Sequence, residues 1–160
     1  MKPSSSHPMR NLDGLDQSRL LHLVGYAATR ASITMRQVFA RHLGDLELKV
    51  ADFSILILVA SNPQVNQKQL GQALDMSAPN LAVTLDRLVD NGWIQRVRST
   101  EDRRAVHIHL TASGRTLVQR AETIAATMED EALQVLSKAE RALLIELLMK
   151  VASIKHAGAN

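Results

Sequence analysis

At 160 residues the chain has room for one domain with a full core, and a second independent domain is not expected. Hydrophobic residues make up 46% but aromatics only 2%, so the core must come from Leu, Val, Ile, Ala and Met, a mixture that favours helices over a β-sandwich. A net charge of +3 suits a polyanionic partner without requiring one, and the lack of cysteine excludes disulfides, thiolate zinc sites, thiol nucleophiles and thiol redox sensing.

The opening "MKPSSSHPMRN" has a lysine but no apolar run behind it, which argues against a signal peptide or membrane anchor. Residues 1–15 are expected to be a disordered tail on a cytoplasmic protein. From Asp16 to about Leu43 the apolar residues Leu20, Val24, Ala27, Ala31, Met35 and Val38 recur at helical spacing, predicting one long helix that Gly44 ends. A second, mostly apolar helix follows from about Asp52 to Ala60 and stops at Asn62-Pro63. Asn66 and Gln69 have capping-box spacing and open the short helix "QKQLGQAL". Asp75-Met76 turns the chain, Ser77 caps a helix running to Asn91, and Gly92 supplies its stop signal. Two short helices joined by a tight turn are a helix-turn-helix candidate.

"WIQRVR" and "AVHIHL" read as strands flanking a charged tip, with Val106, Ile108 and Leu110 on one face and His107 and His109 on the other. Thr111 caps a helix expected to reach about Leu136, with Leu117, Ala121, Ile124 and Met128 on one face. Ser137 and Glu140 form a second capping box before "RALLIELLMKVASI". The expected fold is therefore mainly α with a small β-hairpin wing, a winged helix-turn-helix over residues 50–111 flanked by helical segments at 16–49 and 112–156. The apolar faces of those flanking helices exceed what a small winged helix can cover, so pairing with a second copy is expected.

On the helix that starts at Ser77, Leu81, Leu85 and Leu88 share one face and must be core. A recognition helix reads bases with its first two turns, which makes Ala78, Pro79, Asn80, Val83 and Thr84 the groove-facing candidates. Asn80 suits an adenine edge, and Ala78 and Val83 suit a thymine methyl. Arg87 lies further along, placed for a phosphate, with Asp86 and Asp90 as acids that pair with it or point past the backbone. Gln67, Lys68 and Gln69 are expected to hold the phosphate backbone. At the hairpin, Arg96, Arg98, Arg103 and Arg104 outnumber Glu101 and Asp102, and arginine at such a tip suits a narrow minor groove. Asp102 then braces the guanidinium of Arg104 or Arg103. The alternatives are an ordinary exposed helix face and a solvated charged turn.

The run "LGQALDMSAPNLAVTLDRLVDNGWIQRVRSTEDRRAVHIHLTASG", followed by "LSKAERALLIELLMKV", resembles the multiple-antibiotic-resistance regulator (MarR) family of winged-helix repressors. The resemblance spans about Leu20 to Val151, and its most specific part is Asp102-x-Arg104 followed by Leu110-Thr111-x-x-Gly114. It implies a homodimer with interleaved first and last helices, bound to a palindromic operator, with Arg104 in the minor groove and Asp102 orienting it. It also implies release by a small aromatic acid or phenol. Pro79, Ala82 and Val83 stand where polar or basic residues often sit in the family, which affects the operator sequence rather than the fold.

His22, Tyr26 and Arg30 repeat every four residues and combine an imidazole, a phenol and a cation able to hold a carboxylate, with Phe53 and Ile57 among the candidates for an apolar slot. Arg36 is the reserve cation. The alternative is a solvated stripe or an inter-subunit contact. His107-x-His109 places two imidazoles on one strand face, open to a metal or simply to solvent.

No glycine-rich phosphate loop, Gly-x-Ser-x-Gly, His-Glu-x-x-His or dinucleotide fingerprint is present, so neither an enzyme nor a cofactor is expected. The reading is a ligand-responsive DNA-binding regulator, a repressor relieved by a small aromatic effector. A winged-helix protein-interaction module and a metal-responsive regulator are the competing readings.

Overall fold

The computed structural model describes residues 15–98 and 105–153. The chain divides after Gln37 into two compact units. In the first, residues 18–22 form turns, and helix α1 (Val24–Leu43) begins only at Val24 and continues into the second unit. The long helix expected from Asp16 therefore starts a full two turns late. Ser18 N–H donates to Asp16 Oδ1 at 2.9 Å, and Leu20 and Leu23 bond back three residues rather than four, so local polar contacts compete with the helix.

The second unit holds a short 3-10 turn at Gly44–Leu46, then α2 (Val50–Ser61), α3 (Gln67–Leu74) and α4 (Ala78–Asp90). Strands β1 (Ile94–Arg98) and β2 (Val106–Leu110) pair antiparallel, with Ile94 opposite Leu110 and Gln95 opposite His109. Helices α5 (Ala112–Ala125) and α6 (Lys138–Ala152) complete the described chain. This is a winged helix-turn-helix with additional helices, as the periodicity predicts.

The caps explain several boundaries. Asn66 and Gln69 form the expected capping box at the start of α3, each side chain accepting from the other's backbone N–H at 3.0 Å. Asp75 takes a left-handed conformation (φ 50°) that closes α3, a geometry Asp tolerates better than most residues. Helix α4 ends with Gly92 at φ 70°, and Trp93 N–H reaches back to Leu88 O while Gly92 N–H reaches Val89 O, the paired bonds of a Schellman ending.

Thr111 caps α5 by accepting from Gly114 N–H at 3.0 Å and also donates to Gly92 O at 2.6 Å, tying the helix start to the end of α4. Gly114 is required there for space: a Cβ would stand 1.9 Å from Trp93 O.

Two expected boundaries differ. Helix α2 starts at Val50, because Asp52 accepts from Lys49 N–H at 2.9 Å and so caps the first turn rather than opening it. Helix α5 stops at Ala125 instead of continuing to Leu136, and residues 126–135 form irregular turns. Within and beside those turns, Arg141 of α6 pairs with Glu129 and Asp130 at 3.1 and 2.9 Å.

The core of this unit gathers Ile55, Leu56 and Val59 of α2, Leu70 of α3, Leu81, Leu85 and Leu88 of α4, and Ile94, Ile108 and Leu110 of the wing. Leu117, Val118 and Ala121 of α5 close it, and Phe39, Leu43, Leu46 and Leu48 extend it. Each fully buried aliphatic side chain contributes roughly 1.5–3 kcal/mol, so the wing strands are as firmly anchored as the helices. Helix α6 is the exception, with no buried residue at all.

Candidate nucleic-acid interface

Helix α4 presents the face the sequence singles out. Leu81, Leu85 and Leu88 point into the core, while Ala78, Pro79 and Asn80 are exposed and Val83 is 70% exposed. Ser77 stands at the N-cap position with extended backbone, but its hydroxyl makes no capping bond, so the predicted cap holds in place and not in chemistry. Thr84 is half-buried and donates to Asn80 O at 2.9 Å. At the start of α3, Gln67 is half-buried and Lys68 and Gln69 are exposed, with Gln69 Oε1 occupied by the capping box.

The charges are wired differently from the sequence expectation. Arg87 already has an acidic partner within the chain: its Nη1 and Nη2 donate to Asp52 Oδ2 and Oδ1 at 2.9 and 2.5 Å. Asp52 is fully buried and also accepts from Lys49 N–H, so the carboxylate joins the first turn of α2 to the middle of α4. The hydrogen bond to Asp52 raises the Arg87 pKa above its ordinary value, opposed by partial desolvation and assisted by the carboxylate's charge. Neither Asp86 nor Asp90 pairs with Arg87. Asp86 instead meets Arg96 of β1 at 2.7 Å, so α4 is also tied to the wing. Arg98 is exposed at the end of β1.

The tip residues Asp102, Arg103 and Arg104 lie outside the described residues. Asp52 is the positioning residue that spacing arguments miss; its only local signal is an acid inside an otherwise apolar helix.

His22 sits in the turn before α1, so the four-residue repeat with Tyr26 and Arg30 is not carried by one regular helix. The Tyr26 hydroxyl donates to Gln17 Oε1. Arg30 is half-buried and Arg36 exposed. On α2, Phe53 and Ile57 are half-buried one turn apart, and Phe53 meets the Phe39 ring edge-on at 5.8 Å. On the wing, the His107 Nδ1 pairs with Gln64 O at 2.7 Å, and the His107 and His109 rings stand edge to face at 6.4 Å. Among the described residues no three His, Asp or Glu side chains gather as a metal site, and no helix is long and apolar enough to cross a membrane.

Comparison with known proteins agrees with this architecture. The MarR family model matches residues 48–106. The uncharacterized HTH-type transcriptional regulator YpoP of Bacillus subtilis (strain 168) is 32% identical over 107 residues, covering 67% of this chain and 76% of that protein. The transcriptional repressor CouR bound to a 23-mer DNA duplex is 34% identical with a TM-score of 0.81, over 86% of this chain and 98% of that one. CouR bound to p-coumaroyl-CoA is 31% identical with a TM-score of 0.80, over 88% and 99% of the two chains. With its helix-turn-helix, its wing and these relatives, the chain belongs to the MarR family of DNA-binding transcriptional regulators.

Proposed function

We propose that the protein is a homodimeric repressor that binds a palindromic operator and releases it when a small aromatic acid or phenol binds. The observation that carries the DNA-facing assignment is the open first half of α4, where Ala78, Pro79, Asn80 and Val83 are exposed while the opposite face is fully buried. Those residues, with Ser77 and Thr84, read the major groove. Gln67, Lys68, Gln69 and Arg98 hold phosphates, Arg96 does so in competition with Asp86, and Arg103 and Arg104 enter the minor groove with Asp102 as brace. Residues 50–111 act as the DNA-binding region, between dimerisation segments at 16–49 and 112–156. A twofold pair places its two α4 helices about one DNA turn, ~34 Å, apart.

Repression follows from occupancy, since a bound dimer blocks polymerase. The effector reading is supported by CouR, whose structure with p-coumaroyl-CoA shares the fold at 31% identity. Here the effector is an aromatic acid, free or as a thioester, held by Tyr26, Arg30 or Arg36. It acts by favouring a spacing of the two α4 helices that does not fit the operator, which needs a differential affinity of a few kcal/mol.

The test is Arg104→Ala in a gel shift on genomic fragments that the wild-type protein retains, beside sedimentation. The expected result is operator binding weakened at least tenfold with the dimer intact. Unchanged binding removes the wing from the mechanism. Repeating the shift with 4-hydroxycinnamate and its CoA thioester tests release.

A further inference from the structure

A cleft of about 630 Å³ lies at the root of the wing, between the strands, the end of α2 and the first turns of α5. It contains none of the expected effector residues. Its volume falls in the range of small-molecule sites. Its lining is partly apolar, with Val59, Pro63 and Val118, and partly polar, with Gln95 on β1, His109 on β2, and Arg115 and Gln119 on α5.

The polar lining has a sign. Arg115 is anchored at one end, its Nη1 donating to Leu110 O at 3.0 Å. No carboxylate of the described residues lines the cleft, and none of them pairs with Arg115. A guanidinium held by a backbone carbonyl keeps its remaining N–H groups in a fixed plane, the arrangement that takes a carboxylate through two parallel hydrogen bonds. The two amides and the imidazole add polar groups to the same cleft, and the apolar lining offers a surface for a flat hydrocarbon body.

We infer that this wing-root cleft binds a small organic monocarboxylate, with Arg115 holding the carboxylate and Val59, Pro63 and Val118 covering its apolar body. The site rests on the reading of the chain as effector-responsive and is a second place for an acid, separate from the one on the first helix. Its occupant touches both strands of the wing, so it bears directly on the element that carries Arg96 and Arg98.

The experiment titrates full-length dimer with benzoate, 4-hydroxybenzoate and 4-hydroxycinnamate, and with their primary amides, by calorimetry and ligand-observed NMR. At least one acid is expected to bind while its amide binds at least tenfold more weakly. Arg115→Gln is expected to weaken the acid at least tenfold. Gln119→Glu leaves the Arg115 to Leu110 bond in place and adds a competing carboxylate one helical turn away, so it weakens the acid and not the amide. Ala60→Trp fills the cleft from the end of α2 and abolishes both.

Circular dichroism melts identify any variant that fails to fold, and Gln119→Glu, an exposed near-isosteric change, decides the case if Arg115→Gln is one of them. If no acid binds, or if binding survives Gln119→Glu and Ala60→Trp but is lost in Arg30→Gln, the inference is overturned, the second outcome leaving the effector reading standing. If acids bind in the cleft yet operator retention does not change, the site stands and the release mechanism falls.

Discussion

Asp52 receives three donors, Lys49 N–H and both terminal nitrogens of Arg87, in a position with no exposure to water. A buried carboxylate is tolerated only when its oxygens are matched in this way, and removing one partner leaves an uncompensated charge. Arg87 is one-third exposed, so the pair is asymmetric: losing Arg87 strands Asp52, whereas losing Asp52 returns Arg87 toward water. Arg87→Gln alone is therefore expected to destabilise the fold by about 3–5 kcal/mol, and Asp52→Asn to recover much of that in the double variant, measured by urea unfolding. The same set separates two roles of Arg87 in DNA binding. If it positions α4 through Asp52, then Asp52→Asn and the double variant bind operator equally and with equal salt dependence. A phosphate contact would instead lower affinity further in the double variant and flatten the log–log salt slope by about 0.9.

At the scale of elements, the start of α6 is set by a capping box. Ser137 and Glu140 cap α6, with Ser137 N–H and hydroxyl donating to Glu140 Oε2 at 2.8 and 2.7 Å. These bonds, the side-chain one foremost, hold the Glu140 carboxyl below its ordinary pKa. A lowered carboxylate pKa adds stability that is complete above the unfolded value of about 4.3 and is lost as pH falls through the folded value. The first turn of α6 is thus expected to fray as pH falls below that unfolded value, seen as loss of helical chemical shifts at Lys138–Arg141, and Glu140→Gln, which keeps an acceptor without titrating, to flatten that response. An identical acid transition in Glu140→Gln removes the capping box as the cause of the fraying. Such local devices are what a sequence displays well: both capping boxes, Gly92 and the alternation of Ile108 and Leu110 with the histidines of β2 appear in the structure where their spacing puts them. The misses are contacts across the chain. Arg87 finds Asp52 thirty-five residues away and Asp86 finds Arg96 on the wing, so a spacing argument along α4 names the wrong partners for both. Arg141 pairs with Glu129 twelve residues before it, and Arg115 comes to line one cleft with Gln95 and His109 only once the wing is folded.

For the whole molecule the unresolved term is the apolar surface of α6. Leu143, Leu144, Ile145, Leu147, Leu148, Met149 and Val151 are each 41–65% exposed in the single chain, and none of the helix is buried. A monomer rarely leaves so continuous an apolar face to water, and a twofold pair would cover it with one self-complementary patch. Leu144 and Leu148 lie one turn apart on that helix and belong to no part of the winged-helix core, so charging them acts on association and not on folding. Leu144→Glu combined with Leu148→Glu is expected to sediment as a monomer while keeping the wild-type helical signal. Because two linked half-sites bind with high effective concentration, operator affinity should fall at least about 100-fold. A lone chain also neutralises half as many phosphates, so the log–log salt slope should drop to about half. A double variant that remains dimeric places the interface elsewhere, whereas a monomer with undiminished affinity and slope would mean that one α4 and one wing suffice for the operator.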